Sequence, residues 1–379
     1  MNDLGSLVQQ TADRLAGQQV GAVVAGLAGG AVEIRGAGST STGPGGGVPG
    51  AHTLFEIGSA TKVFTSLALA RLVLAGSTAL DEPLAEVLKD ALPPGVTVPT
   101  RGGTPITLQH LATHTAGLPR LPAGMLLPAL LSPNKPDPYR NCTSDALLSG
   151  LARTRLRAVP GRSFRYSNLG AGLLGLALAH QAGTGYEELV TREVCEPLGL
   201  ADTVITVDGE RSDRLAHGHT PGRRPVPGWH LADLAGAGGL RSTAADLAIL
   251  LQAQLACTGA SATTPVEASA TTTAPGGSPL APAIALTREV NHRVNPFAWM
   301  HLGWLAHRLH PQQGGHLQIW HNGGTGGFRS FVAFDPEKQV GVITLANTRR
   351  SVDPAGVALL RTLQNGGATG KGRASGGAA

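Results

Sequence analysis

Cysteine is scarce in this chain, with three in 379 residues, at positions 142, 195 and 257. Their number and spacing exclude a disulfide framework and a Cys-x-x-Cys metal knuckle. No base lies near any of them in sequence, so they read as packed, free thiols in a reducing compartment. Long apolar runs are missing as well. The balance of 42% hydrophobic to 15% charged residues is ordinary for a globular protein, and no stretch is long and Gly-poor enough to span a bilayer, so no membrane partner is expected. Met1-Asn2-Asp3-Leu4-Gly5 lacks the basic residues and apolar core of a secretory signal, and the expectation is a cytoplasmic protein. The formal charge is +5, but arginine is scattered. Without a Lys/Arg run or a basic stripe with interleaved aromatics, nucleic acid is not an implied partner. Also absent are a Gly-x-Ser-x-Gly elbow, His-Glu-x-x-His, a Gly-x-x-x-x-Gly-Lys-Ser/Thr loop and a Gly-x-Gly-x-x-Gly turn, so neither a metal nor a nucleotide cofactor is implied.

What is present begins with helical spacing over 4–16 (Leu4, Leu7, Val8, Ala12, Leu15), then a hairpin from Val20 to Ile34 broken at Gly29-Gly30. A Gly/Ser/Thr/Pro loop over 36–50 leads to a buried-looking helix from Ser59 to Ala75, ended by Gly76. Between 106 and 240 short helical patterns alternate with proline-rich loops, such as Leu118 to Pro138. Thr243-Ala244-Ala245-Asp246 reads as a capping box for a helix through Leu255, and the Ala/Thr/Pro/Ser/Gly-rich stretch over 258–283 as a flexible insertion. Strand patterns follow at 317–321, 328–335 and 339–346, then a helix around 354–364 and a Gly-rich tail over 366–379 that reads as disordered. Strands cluster at both ends instead of alternating with helices, which predicts an α+β fold: one antiparallel sheet with the first and last helices on one face and the Ser59 helix on the other. The chain reads as a single domain over 1–350. Its sheet lobe comprises about 1–58 and 284–365, and its helical lobe about 77–240.

Ser59-Ala60-Thr61-Lys62 puts a hydroxyl and an amine on one face of a helix start. A serine hydroxyl is a poor nucleophile until a base takes its proton, and lysine serves once burial and positive neighbours lower its pKa. Ser132-Pro133-Asn134-Lys135 has the same spacing, but Pro133, Pro136 and Pro138 forbid a regular helix there, whereas 59–75 holds no proline. Tyr166-Ser167-Asn168 offers a phenol to relay the proton and a carboxamide to fix Lys62 and a substrate carbonyl. Tyr139-Arg140-Asn141 matches this pattern and reads as a decoy in the proline-rich loop. His321-Asn322-Gly323-Gly324 follows a strand and precedes Thr325-Gly326-Gly327, where backbone can approach a ligand closely. The Gly324 and Ser59 amides are candidates for an oxyanion hole, and His321 for positioning Lys62 and Tyr166 or a substrate acid. His301-Leu302-Gly303 matches the same short pattern without that context.

Taken in order, Ser59-x-x-Lys62, Tyr166-Ser167-Asn168 and His321-Asn322-Gly323 resemble the three motifs of the serine beta-lactamase-related superfamily, in its class C beta-lactamase, D-aminopeptidase and esterase branch. Leu111 to Pro119, Glu196 to Leu200, Gly238 to Leu247 and Phe328 to Asn347 also look like family segments, so the resemblance covers roughly 20–350. It implies a beta-lactamase/transpeptidase-like fold, an active site between the lobes and a covalent acyl-serine intermediate without metal. By the same resemblance Ser59 is the nucleophile, Lys62 and Tyr166 the proton-transfer pair, Asn168 a support, His321 the third-motif residue and Gly324 an oxyanion donor. The departure is His321, where penicillin-hydrolysing enzymes usually carry the lysine of Lys-Thr-Gly, and a neutral histidine attracts an antibiotic carboxylate less. The expectation is therefore a serine hydrolase or acyltransferase. It would cleave a small-molecule ester or amide and pass the acyl group to water or to an amine or alcohol acceptor, in keeping with secondary metabolism. The alternatives are a beta-lactamase or D-peptidase and a non-catalytic ligand-binding homologue. The sequence sets neither the acceptor nor the oligomeric state.

Overall fold

The computed structural model describes residues 3–122, 137–257 and 278–366. Its frame is an eight-stranded, wholly antiparallel sheet. In chain order the strands are β1 (Gly21–Ala28), β2 (Ala31–Gly38), β3 (Asn291–Asn295), β4 (Ala298–His301), β5 (Leu305–Arg308), β6 (Leu317–Gly324), β7 (Arg329–Asp335) and β8 (Val340–Ala346). They lie in the order β2-β1-β8-β7-β6-β5-β4-β3. The N-terminal hairpin thus pairs with the last strand, Ala22 facing Ala346 and Ala28 facing Val340. The first and last segments of the described chain close one sheet, as the expected α+β arrangement requires.

Helix α1 (Leu4–Ala16) and the C-terminal helix α6 (Asp353–Gln364) cover one face, where Leu4, Val8, Ala12 and Leu15 pack with Val24, Phe331, Val342, Leu359 and Leu363. The other face is covered by α4 (Ala244–Ala256) and α5 (Ala281–Glu289) and continues into the helical lobe around α2 (Thr61–Leu74) and α3 (Asn168–Gln181). Helix α2 is apolar on nearly every side, with Val63, Phe64, Leu67, Ala68, Leu69 and Leu72 all buried. A helix of that kind is stable only in the middle of a core.

Three features depart from the sequence reading. Strands β3, β4 and β5 went unseen because β3, Asn291-His292-Arg293-Val294-Asn295, is polar and alternates between exposed and half-buried positions at the sheet edge. The expected flexible insertion lies outside the described residues over 258–277, while its last part does not fit that expectation. Residues 281–283 open α5, with Leu280, Ala283 and Ile284 buried. The capping box at Thr243 is half formed. The Thr243 hydroxyl accepts from the Asp246 amide at 3.1 Å, but the Asp246 carboxylate turns away to accept from the Asp202 amide at 2.9 Å and the Thr203 hydroxyl at 2.8 Å. The tail over 367–379 and the Ser132 to Lys135 motif also lie outside the described residues. Among those described, no helix is long and apolar enough to cross a membrane.

Candidate active site

Ser59 sits in a single 3₁₀ turn, Gly58–Ala60, that feeds directly into α2, so its position relative to Lys62 is set by one helical turn. The Lys62 Nζ lies 3.1 Å from Ser59 Oγ, 3.0 Å from Asn168 Oδ1 and 2.6 Å from the Ala237 carbonyl oxygen. Three such neighbours suit an ammonium with three hydrogens. They equally suit a neutral amine that donates to Asn168 and Ala237 and turns its lone pair to Ser59. Burial pushes the Lys62 pKa below the ordinary lysine value, the neighbouring Tyr166 phenol pulls it back up, and the positive charge of Arg120 lowers it. The Ala237 carbonyl gets there by close packing. Helix α3 runs against the turn at Ala232–Ala237 so tightly that a Cβ on Gly175 would lie 2.9 Å from the Gly236 Cα.

The Tyr166-Ser167-Asn168 segment is held by its central residue. The Ser167 hydroxyl caps α3 by accepting from the Gly170 amide at 2.9 Å and donates to the Pro119 carbonyl at 2.6 Å. The Asn168 amide donates to the Arg120 carbonyl at 2.9 Å. The flanking side chains therefore point to Lys62: its Nζ lies 5.0 Å from the Tyr166 ring centroid, with the phenol hydroxyl in reach. Tyr166 is surrounded. The Arg120 guanidinium lies 5.5 Å from its ring centroid, and the His114 and His321 rings lie at 4.5 and 6.4 Å.

Those two histidines are both buried and take complementary tautomers. His114, a non-glycine residue at φ 56°, accepts from the Ser167 amide on Nδ1, which leaves the hydrogen on Nε2. His321 donates from Nδ1 to the Asn322 carbonyl at 2.6 Å, which leaves the lone pair on Nε2. Neither Nε2 has a hydrogen-bond partner among the described residues. Burial, then the nearby Lys62, holds the His321 pKa down at about 3, and the same two causes push His114 well below the usual range. His321 is only 1% exposed and faces Tyr166 without lining the cleft, whereas its neighbours Asn322, Gly323 and Gly324 line it.

That cleft has a volume of about 600 Å³ and opens over Ser59, with Tyr166 and Asn168 on one wall and Gly324 on the other. Gly58, at φ 52°, brings the Ser59 turn against the end of β6: a Cβ there would lie 2.5 Å from the Gly324 nitrogen. The two backbone segments meant for an oxyanion site are thus adjacent. Tyr166 and Asn168, not Tyr139 and Asn141, stand beside Lys62, yet Tyr139 also lies at the site. Its phenol lines the cleft within reach of the Asn168 carboxamide, and its ring packs edge to face on Trp229 at 5.2 Å. Trp229 is fixed in turn by its amide donating to Glu56 Oε1 at 2.8 Å and its carbonyl accepting from Arg241 at 2.8 Å; Glu56 and Arg241 form a buried ion pair. Sequence reading had missed His114, Arg120, Trp229, Arg329 and Arg349. Of these, His114 and Arg329 carried a signal, as parts of the Leu111 to Pro119 and Phe328 to Asn347 segments.

The family model named Beta-lactamase matches residues 6–365. The chain is 30% identical over 308 residues to the D-alanyl-D-alanine-carboxypeptidase/endopeptidase AmpH of Escherichia coli, covering 80% of this chain and 74% of that protein. It is 33% identical over 164 residues to esterase EstB of Burkholderia gladioli, covering 42% of this chain and 40% of the esterase. The crystal structure of a beta-lactamase/D-alanine carboxypeptidase from Yersinia pestis complexed with citrate superposes with a TM-score of 0.72 at 26% identity, covering 94% of this chain and 99% of that one. By the extent of these matches and the fold they share, the chain belongs to the beta-lactamase family.

Proposed function

We propose that the protein is a serine acyl-enzyme catalyst that cleaves an ester or amide and passes the acyl group to water or to an amine or alcohol. The observation that carries this reading is the Lys62 Nζ, buried, depressed in pKa and 3.1 Å from Ser59 Oγ. In this reading Ser59 Oγ attacks the carbonyl while its proton moves to Lys62, directly or through the Tyr166 oxygen. The amides of Ser59 and Gly324 receive the oxyanion, the proton returns to the leaving group, and the acyl-serine is released by the acceptor. Asn168 holds Lys62 through its carbonyl oxygen, with the Tyr139 phenol in reach of its carboxamide. A fluorophosphonate probe tests the reading: intact-protein mass should show one adduct on the wild type and none on Ser59→Ala. An adduct of equal extent on both refutes it.

A second reading is cleavage of a D-amino-acid peptide or a β-lactam. It is favoured by the names that the relatives in E. coli and Y. pestis carry. Turnover of a chromogenic cephalosporin at a rate rivalling simple esters would select it.

A further inference from the structure

No residue from Leu111 to Pro119 lines the cleft, yet this segment wraps the stretch of chain from which Tyr166 reaches Lys62. Thr107 caps the short helix Leu108–Ala112 by accepting from the His110 amide at 3.3 Å, and the helix closes with the Thr115 amide donating to the His110 carbonyl at 2.8 Å. Between those ends His114 takes φ 56°, in the left-handed region that few residues with a side chain enter. Beyond it the carbonyls of Thr115, Gly117 and Arg120 accept from the amides of Gly161, Arg157 and Asn168 at 2.9, 2.8 and 2.9 Å.

His114 makes the two contacts that bracket Tyr166. Its carbonyl accepts from the Arg165 amide at 2.7 Å, and its Nδ1 accepts from the Ser167 amide at 3.3 Å. Ser167 is extended, at φ −135° and ψ 113°, and in extended backbone alternate amides face the same side, so one residue supplies both acceptors that a neighbouring strand would otherwise provide. The His114 ring then lies 4.5 Å from the Tyr166 ring, tilted by 47°, and is backed by the edge of Phe164 at 6.1 Å. His114 is 2% exposed, does not line the cleft and has no hydrogen bond to Lys62 among the described residues. Its hold is on Tyr166. Placement of that phenol matters, because an error of about 1 Å in a reacting group costs about a hundredfold in rate.

We infer that His114 is a positioning residue for Tyr166: its carbonyl and Nδ1 pin the main chain on either side of the tyrosine, and its ring fixes the plane of the phenol beside Lys62. The inference rests on the acyl-enzyme reading in which Tyr166 relays the proton of Ser59. It gives the Leu111 to Pro119 segment a task in the reaction without any contact to the substrate.

Two variants that both tolerate φ 56° test it. His114→Asn sets an amide oxygen where Nδ1 stands, and His114→Gly sets nothing there. With 4-nitrophenyl acetate as substrate, His114→Gly should lower kcat by about 10–100-fold with KM little changed, and His114→Asn should exceed it by about threefold or more. In a Tyr166→Phe background the loss caused by His114→Gly should shrink to within about twofold, since residues that act through one another are not additive. A spectrum gives the readout that needs no turnover. The chain has three tyrosines, 139, 166 and 186, so tyrosine labelled with carbon-13 at Cζ gives one resonance for each, that of Tyr166 being the one missing in Tyr166→Phe. His114→Gly should move or broaden the Tyr166 resonance and leave that of Tyr186 in place. If His114→Gly does not fold, His114→Asn, which loses the ring alone, is judged by the same cycle and the same spectrum. An unchanged kcat, an unmoved Tyr166 resonance, or a loss as large in Tyr166→Phe as in the wild type overturns the inference and leaves the acyl-enzyme reading intact. A moved Tyr166 resonance in a protein that turns over no ester and leaves Ser59 unlabelled by a fluorophosphonate refutes the acyl-enzyme reading, with the hold of His114 on Tyr166 standing.

Discussion

Lys62 Nζ faces Ser59 Oγ at 3.1 Å while Asn168 and Ala237 occupy its two other hydrogen-bonding directions. The amine is therefore aimed, and replacing it by a group of similar length should remove proton transfer without disturbing the nucleophile's position. Lys62→Met is expected to lower kcat by roughly 10²–10⁴-fold with little change in KM, and to slow fluorophosphonate labelling of Ser59 in parallel. Equal losses in kcat and in substrate affinity, measured by steady-state kinetics, would show that Lys62 only holds the cleft together.

The direction of the Lys62 shift gives a pH prediction. The base must be unprotonated, so kcat/KM rises with pH through its pKa, and anything that raises the pKa moves that rise to higher pH. Arg120 is a positive neighbour that lowers the Lys62 pKa. Arg120→Gln should accordingly displace the acid limb of the pH profile in the alkaline direction, by less than the effect of burial, since burial is the larger cause and is unchanged. Profiles at low and high salt check the assignment, because the effect of an exposed arginine shrinks with screening. A limb that moves to lower pH contradicts it.

Ser59 and Lys62 were legible in the sequence because one helical turn fixes their relation, and a proline-free stretch after Ser59 says that the turn exists. Tyr166, Asn168 and His321 were legible as short local patterns. What joins them was not. The Ala237 carbonyl reaches Lys62 across 175 residues, through packing between α3 and a 3₁₀ turn, and a carbonyl has no sequence signature. Arg329 faces Gly324 only through the register of β6 on β7, which the strand pattern does not number. Tyr139 was dismissed on local backbone grounds, although its place in the site depends on where the loop lands and not on its secondary structure. The hairpin of β1 and β2, the last three strands and helices α1 and α6 followed their hydrophobic patterns, and α2 showed as a proline-free, largely apolar stretch ended by Gly76; the polar edge strand β3 had no such pattern to follow.

Gly58 joins backbone strain to the site. At φ 52° an alanine is strained by about 1–2 kcal/mol, and its Cβ would meet the Gly324 nitrogen at 2.5 Å, so the Ser59 turn and the end of β6 must separate. Gly58→Ala should lower kcat by roughly 10²–10³-fold, the range for loss of an oxyanion donor. Gly76→Ala is the matched control. Gly76 has φ 72° and nothing within 4 Å of the added atom, so it should lose stability and keep activity. Thermal melts and kcat on both variants separate strain from the loss of the donor arrangement.

His321 and His114 make stability depend on pH. Both are buried and neutral, His321 with its pKa held at about 3 and His114 well below the usual value. The unfolded chain regains an ordinary histidine pKa near 6.5. Between those values the unfolded state binds more protons than the folded one, so stability is fully present above about pH 6.5 and is lost as pH falls towards 3. Each such histidine contributes up to about 1.4 kcal/mol per pH unit to that slope. Urea midpoints between pH 7.5 and 4.5 should fall steeply for the wild type and less steeply for His321→Asn, which carries no titrating group. Because His321 faces Tyr166 and does not line the cleft, the same variant should show its loss of activity chiefly in kcat. An unchanged slope in His321→Asn would mean that the ring is already protonated in the folded protein, against its burial beside Lys62.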